Sequence, residues 1–333
     1  MSDIPLRPPE WAPFRVAPHY DPRPWGYCDL RPWFDRLAAG DPIGEVWLTG
    51  DMCAVATGPH AGTKLGDLFH RFPEPLLGAG APSPDSPLLI KVLFAAQKLS
   101  VQVHPDDTMA QRYGDPRGKT ECWYALAAEP GASLALGLKP GTTLEDLRAG
   151  IHDGSLESKL NVIPVAAGDM IFVDAGTVHT IWPGSILLET QQNCDLTYRI
   201  YDYGRPRELH IDRAMEATKL KTRAGKVAPE TFSDRSVLID VEYFRLERIP
   251  AGKWLESERL RDSQSGRSQP QGLAYLFAAA GSGRIVGQDL EPIGLPPRSI
   301  TCIPAAAPPF RVENVDGLDL IRISPKWPAG ISG

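Results

Sequence analysis

Short apolar runs separated by glycine and proline make up most of this chain, which carries 31 Gly and 33 Pro in 333 residues. Between those breakers, valine, isoleucine, leucine and aromatic residues gather in segments too short for long helices, the texture of a mainly β protein. The pattern predicts strands at 44–49 (GEVWLT), 88–95, 99–104, 121–127, 133–138, 170–174, 185–190 and 196–202. Helical patterning is confined to two main stretches. TTLEDLRAGIHDG (142–154) opens with threonines ahead of acidic residues and ends at Gly154, which predicts a helical insertion near 142–160. DRAMEATKLKT (212–222) reads as a connector helix. From about residue 240 a second β series begins, VEYFRLERI, GLAYLFAAA, SITCIPA and LDLIRISP. A boundary is expected near 225–240, dividing the chain into 1–230 and 231–333.

One strand raises a chemical question. In LSVQVHPDD (99–107), Leu99, Val101 and Val103 alternate with Ser100, Gln102 and His104. Residues two apart on a strand share a face, so the three polar side chains project together. Imidazole is a common metal ligand, and an amide carbonyl is a neutral oxygen donor. A solvated edge strand would show the same spacing, so the triplet alone leaves both readings open.

Three further segments shift the balance. GKTECWYAL (118–126) carries Glu121 as its single carboxylate, entering an aromatic run where a buried charge needs a partner such as a divalent cation. AAGDMIFVDAGTVHTI (166–181) is a strand, a tight glycine turn, and then His179 at the start of the next strand. TQQNCDLTYRIYDYGR (190–205) sets Arg199 inside an aromatic β run, where alternation assigns Thr197, Arg199, Tyr201 and Tyr203 to the cavity face. Together they supply two imidazoles, one carboxylate and one amide oxygen from separate strands, as the interior of a barrel would.

Charge and composition narrow the setting. A net charge of -6 argues against a nucleic-acid or anionic-membrane surface. The longest apolar run, LLIKVLFAA (88–96), is about half a membrane span and contains Lys91. The opening MSDIPLRPPEWAPFR lacks the apolar core of a signal peptide. Cysteines 28, 53, 122, 194 and 302 form no CxxC pair and read as thiols in a reducing compartment, so a cytoplasmic location is expected.

The stretch from Gly168 to His179 resembles the second motif of the cupin barrels. More specifically, KLSVQVHPDD, GKTECWYAL, GDMIFVDAGTVHTI and ETQQNCDLTYRIYDYGR together resemble the type I mannose-6-phosphate isomerases in their short bacterial form. WGYCDL (25–30) and IGEVWLTG (43–50) fit the same family, and the resemblance covers about residues 20–220. It implies two cupin-like, jelly-roll barrels with a small helical insertion in or beside the first. It implies one zinc ion per chain, held by Gln102, His104, Glu121 and His179. Arg199 and Lys119 would act on a small sugar phosphate, with Ser100 and Lys91 lining the pocket. The implied reaction interconverts mannose 6-phosphate and fructose 6-phosphate by proton transfer between C1 and C2 through a cis-enediol(ate). Three departures stand out: Asp174 where the cupin turn usually has proline, Cys194 where serine is frequent, and Gly118 where longer members have a histidine before the lysine. The resemblance assigns no proton-shuttling base.

Competing readings differ in what they need. GDPRGKT (114–120) mimics a phosphate-binding loop but is one residue short between its glycines, and an aromatic β run follows it. A cupin dioxygenase would use two His and one carboxylate around Fe(II), without a use for Gln102, Arg199 and Lys119. A non-catalytic sugar-phosphate-binding cupin would have no need of the full ligand set. Residues 231–333 contain no histidine, the last being His210, and their acids Glu256, Asp289, Glu291, Glu313 and Asp316 sit near Gly, Pro or Ser, where loops are expected. This half is expected to be a metal-free cupin-like packing partner.

Overall fold

A computed structural model describes residues 10–250, 255–256, 272–288 and 290–327. The chain is mainly β and forms two compact units, one made of Tyr20–Trp47 and Leu88–Ala228, the other of Met1–His19, Leu48–Pro87 and Pro229–Gly333. A single cut near 230 therefore does not describe the division. The early segments join the late ones through specific pairings. Strand Phe14–Arg15 pairs with Ile300–Ile303, and the backbone N–H groups of Ala305 and Ala306 donate to the carbonyls of Leu76 and Pro75. Sequence proximity did not reveal these pairings, because they join residues more than 200 positions apart.

The first unit is built from two antiparallel sheets. One has seven strands in the order Gly225–Val227, Met170–Val173, Glu121–Ala128, Ser185–Gln192, Leu88–Phe94, Ile43–Trp47 and His19–Tyr27. The other has five, in the order Tyr198–Tyr201, Val101–Val103, His179–Ile181, Ser133–Leu138 and Leu160–Pro164. Side chains from both sheets form one apolar core, with Leu93, Trp123, Ala125 and Leu187 from the larger sheet meeting Leu134, Leu136 and Ile181 from the smaller. Strand alternation sends every second residue into this shared layer.

The outer face of the five-stranded sheet carries a second core. Val101, Val103, Tyr198 and Ile200 pack there with Leu147 of helix Leu144–Asp153 and with Ala214 and Met215 of helix Ile211–Ala217. The first of these helices begins where the sequence indicates. Thr143 Oγ1 accepts from Asp146 N at 3.1 Å, Thr143 N donates to the Asp146 carboxylate at 3.0 Å, and Gly154 ends the helix at φ 78°. The connector helix is shorter than its 212–222 pattern, because Lys219 N leaves the helix to donate to the Gly176 carbonyl at 2.9 Å. Three short helices add to these, Leu65–Arg71, Pro73–Leu77 and Asp107–Arg112.

The second unit is a nine-stranded sheet dominated by the long strands Ala274–Gly287 and Arg311–Pro325, whose pairing is interrupted by bulges at Ala278/Ala280 and Ser282. Bulges bend a strand, and these two strands contribute Ala274, Leu276, Ala278, Ile285, Leu318 and Leu320 to one apolar cluster. Glu291, Glu313 and Asp316 lie within strands here, contrary to the loop expectation, and Glu256 belongs to the short strand Leu255–Glu256. Ion pairs keep a strand glutamate soluble: Glu313 bonds Arg284 at 2.7 Å and Arg311 at 2.8 Å. Asp289 lies outside the described residues. Among the described residues no helix is long and apolar enough to cross a membrane.

Candidate metal and substrate site

The polar face of strand Val101–Val103 points into the first unit. Its valines lie under the helices, while Ser100 and Gln102 line a cavity of about 440 Å³, a volume typical of small-molecule sites. Leu99 departs from the alternation and joins the inner core, because it precedes the strand and its N–H donates to the Ile181 carbonyl at 2.9 Å. Lys91, Lys119 and Arg199 line the same cavity. His104, Glu121 and His179 adjoin it, buried, with one potential ligand atom from each lying within 4.8 Å of the others.

Both imidazoles are fixed by backbone carbonyls. His104 Nδ1 donates to Leu196 O and His179 Nδ1 to Thr177 O, each at 2.9 Å. That fixes the tautomer and leaves each Nε2 with a lone pair. The two Nε2 atoms lie 3.6 and 3.4 Å from Glu121 oxygens. Glu121 is wholly buried, and the charge beside its carboxylate is Lys119 Nζ at 3.2 Å, which also lies 3.3 Å from His104 Nε2. Two nitrogen lone pairs and a carboxylate converging in a buried space favour a cation, and Lys119 already places one charge at the edge of the group. This donor set fits a divalent metal ion. Gln102 adjoins it: its Nε2 lies 3.2 Å from His179 Nε2 and its Oε1 accepts from Ser100 at 3.0 Å. Rotating the amide by half a turn presents the oxygen instead.

Burial sets the protonation states. It holds His104 well below the ordinary histidine range, with the charge of Lys119 acting in the same direction. Burial also brings His179 to about 4, against the pull of the Thr177 carbonyl. Both rings are neutral, as metal ligation requires. Desolvation raises Glu121, partly offset by Lys119, whose Nζ stands 3.2 Å from the carboxylate.

Two sequence departures have structural reasons. A Cβ on residue 118 would fall 2.5 Å from the Asp106 carbonyl carbon and 2.6 Å from Pro105 O, so only glycine fits. There HPDD and GKT pack backbone against backbone. Lys119 N donates to Pro105 O at 3.0 Å, and Asp107 Oδ1 accepts from Gly118 N at 2.7 Å and Gln192 Nε2 at 2.9 Å. A histidine base at 118 is excluded by space. Asp174, in place of proline, accepts from Thr177 Oγ1 at 3.0 Å and closes the turn that presents the Thr177 carbonyl to His179.

A charge network not read from the sequence occupies the seven-stranded sheet. Trp47, Lys91, Glu189 and Trp123 stand in register across four adjacent strands. Lys91 Nζ lies 3.2 Å from Glu45, 3.0 Å from Asp195 and 3.6 Å from Glu189. Arg23 Nε donates to Glu45 at 2.9 Å, and Trp123 Nε1 donates to Glu189 at 2.9 Å. Burial opposes charge at Lys91, but the three carboxylates outweigh it and raise its pKa. Glu45 is likewise desolvated yet held low by Lys91 and Arg23. The one available signal was Lys91 itself, a lysine within an apolar strand, which implies buried acids elsewhere.

Arg199 faces the cavity, but Tyr201 and Tyr203 do not share its face. The ladder between Tyr198–Tyr201 and Val101–Val103 shifts register between Arg199 and Tyr201, and both tyrosines pack against the outer core.

Comparison with known proteins agrees with this geometry. A family model for the catalytic domain of type I phosphomannose isomerase matches residues 32–137. A probable mannose-6-phosphate isomerase of Bacillus subtilis is 34% identical over 301 residues, covering 84% of this chain and 89% of that protein. The mannose-6-phosphate isomerase of Streptococcus mutans is also 34% identical, over 78% of this chain and 83% of its own length. The crystal structure of a Bacillus subtilis mannose 6-phosphate isomerase superposes with a TM-score of 0.82 at 28% identity, covering 94% of this chain and 99% of that one. This chain belongs to the type I mannose-6-phosphate isomerase family and, with it, to the aldose–ketose isomerases.

Proposed function

We propose that the chain interconverts mannose 6-phosphate and fructose 6-phosphate at a zinc-dependent site in the cavity of its first unit, by proton transfer between C1 and C2 through a cis-enediol(ate). The observation that carries this reading is the buried His104–Glu121–His179 cluster bordering a cavity lined by lysines, arginines and carboxylates. His104, His179, Glu121 and Gln102 would hold the ion, two imidazole nitrogens and two oxygens, a set suited to zinc. Bound there, zinc supplies a Lewis acid for the oxygens at C1 and C2.

The protein's own groups do the rest. Lys119 is desolvated, yet Glu121 and Glu189 outweigh burial and raise its pKa, so its ammonium offers a fixed positive charge beside the oxygens that become negative. Of the cavity carboxylates, Glu45 is locked by Arg23, Lys91 and Trp47, and Asp195 is paired with Lys91. Burial raises the pKa of Glu189, its hydrogen bond comes from neutral Trp123, and Lys91 is farther away at 3.6 Å. A carboxylate so placed takes and returns a proton more readily than its neighbours. Glu189 is therefore our assignment for the group that carries the proton, and Arg199 our assignment for anchoring the substrate. Apolar walls from Trp25, Leu93, Leu99 and Ile181 limit water access. Five free thiols suit a cytosolic setting.

Interconversion of the two sugar phosphates should be measured on purified protein before and after chelation and after zinc is restored. Turnover lost on chelation and recovered with zinc is expected. No turnover in the zinc-loaded protein would leave a sugar-phosphate-binding role instead.

A further inference from the structure

The cavity's charges divide into two groups. Glu45, Glu189 and Asp195 all lie within 4 Å of Lys91 or Arg23, and Glu121 lies beside Lys119. Arg199 and Arg207 also line the cavity but belong to neither set. Arg207 pairs with Asp202, which is 2% exposed and whose charge also acts on Arg199. Arg207 Nε and Nη2 donate to the two Asp202 oxygens at 2.6 and 2.7 Å. This side-on pairing occupies one edge of the guanidinium and leaves Nη1 available. Arg199 Nη1 donates to the Glu208 carbonyl at 2.8 Å, and its Nε is buried with no hydrogen-bond partner. Asp202 also serves Arg205 at 3.3 Å. One carboxylate thus pairs directly with two guanidinium groups, and a third, Arg199, feels its charge without touching it.

The loop that carries Arg207 is shaped for this placement. Tyr203 and Gly204 both take positive φ, 54° and 78°, and Arg205 N closes the turn onto the Asp202 carbonyl at 3.0 Å. His210 N then donates back to Arg199 O at 2.7 Å. The chain therefore leaves the strand after Tyr201, reverses at Asp202–Arg205 and returns to Arg199 with Arg207 held at the cavity. A guanidinium bound to a buried carboxylate along one edge is rigid, and its free edge matches the oxygens of a phosphate.

We infer that Arg199 and Arg207 form the seat of the substrate's phosphate dianion, with Asp202 as the positioning residue that aims Arg207. The inference rests on the isomerase reading and adds Arg207 and Asp202 to it. The site would take phosphate monoesters and, more weakly, inorganic phosphate. Because Arg199 is the cross-strand partner of Gln102, the seat and the His–Glu–His cluster lie on neighbouring strands, so one substrate can engage both.

The test is calorimetric titration of inorganic phosphate into the metal-loaded full-length protein, with metal content measured for each variant. Arg207→Met should raise the Kd at least tenfold, and Arg207→Lys should give an intermediate value. Asp202→Asn removes a negative charge, so a purely electrostatic role predicts tighter phosphate binding, whereas a positioning role predicts weaker binding. In turnover, the KM for mannose 6-phosphate should rise in Arg207→Met by a larger factor than kcat falls. An unchanged phosphate Kd in folded Arg207→Met, tighter binding in folded Asp202→Asn, or no phosphate binding by the wild type would overturn the inference. If Asp202→Asn does not fold, the two Arg207 variants decide. Arg207-dependent phosphate binding in a protein without turnover would support the seat while removing the isomerase reading.

Discussion

Gln102 stands directly opposite His179 across two antiparallel strands, with its amide nitrogen 3.2 Å from His179 Nε2. Arg199 is its partner on the other side, so Arg199, Gln102 and His179 occupy one row across three strands. The row sets an electrostatically neutral amide between a guanidinium and an imidazole. A carboxylate at that position would add a second negative charge to the cation site.

Gln102→Glu is therefore expected to keep the metal at least as tightly while reducing the ion's net positive charge. Metal content should match wild type, and kcat should fall by at least about tenfold, roughly 1.4 kcal/mol of barrier. Wild-type kcat with full metal content would show that the neutrality of this side chain is unimportant.

Glu189→Gln removes the proposed proton carrier while keeping the side chain's shape and an acceptor for Trp123. Turnover should drop about a hundredfold or more, the range expected for loss of an acid–base group, with circular dichroism unchanged. Near-normal turnover in the folded variant would transfer the role to another group.

Arg199→Lys retains the charge but loses the planar fork, its buried Nε and the bond to the Glu208 carbonyl. kcat/KM is expected to fall at least about tenfold. A folded variant with unchanged kcat/KM would reduce Arg199 to a structural cation.

The neutral, buried His179 makes the metal-free protein sensitive to acid. Its pKa falls from 6.5 to about 4 on folding, chiefly through burial, so the unfolded chain binds the additional proton between those values. The stabilisation is present above about pH 6.5 and is lost as pH falls towards 4, on the order of 3 kcal/mol in full. Denaturant titrations of chelated protein should show this slope, reduced in His179→Gln. An identical slope in both would mean that another group titrates.

Truncation near residue 235 should give an insoluble or unstable chain although it removes none of the proposed ligands. The cut takes away Ile300–Ile303, the partner of Phe14–Arg15, and the buried Tyr275, whose hydroxyl lies 3.5 Å from Ser86. Solubility and turnover of the fragment check this; a folded, monomeric, active fragment would point to a regulatory role for residues 236–333.

The sequence by itself determined the local features. Period-two alternation set which side chains of 100–104 share a face, Thr143 and Gly154 bounded a helix, and lone polar residues in apolar strands marked His104, Glu121 and His179. Alternation depends only on neighbouring backbone geometry, so it can be read without knowing what the strand packs against. Tertiary structure decided what long-range pairing controls. A register shift after Arg199 turned Tyr201 away from the cavity. Lys91 met Glu45, Glu189 and Asp195 only because three strands and a loop converge. Asp202 could aim Arg207 only after two residues of positive φ reversed the chain. The second unit recruited segments from both ends of the sequence, since ladder hydrogen bonds reward any strand that fits the edge, however distant along the chain.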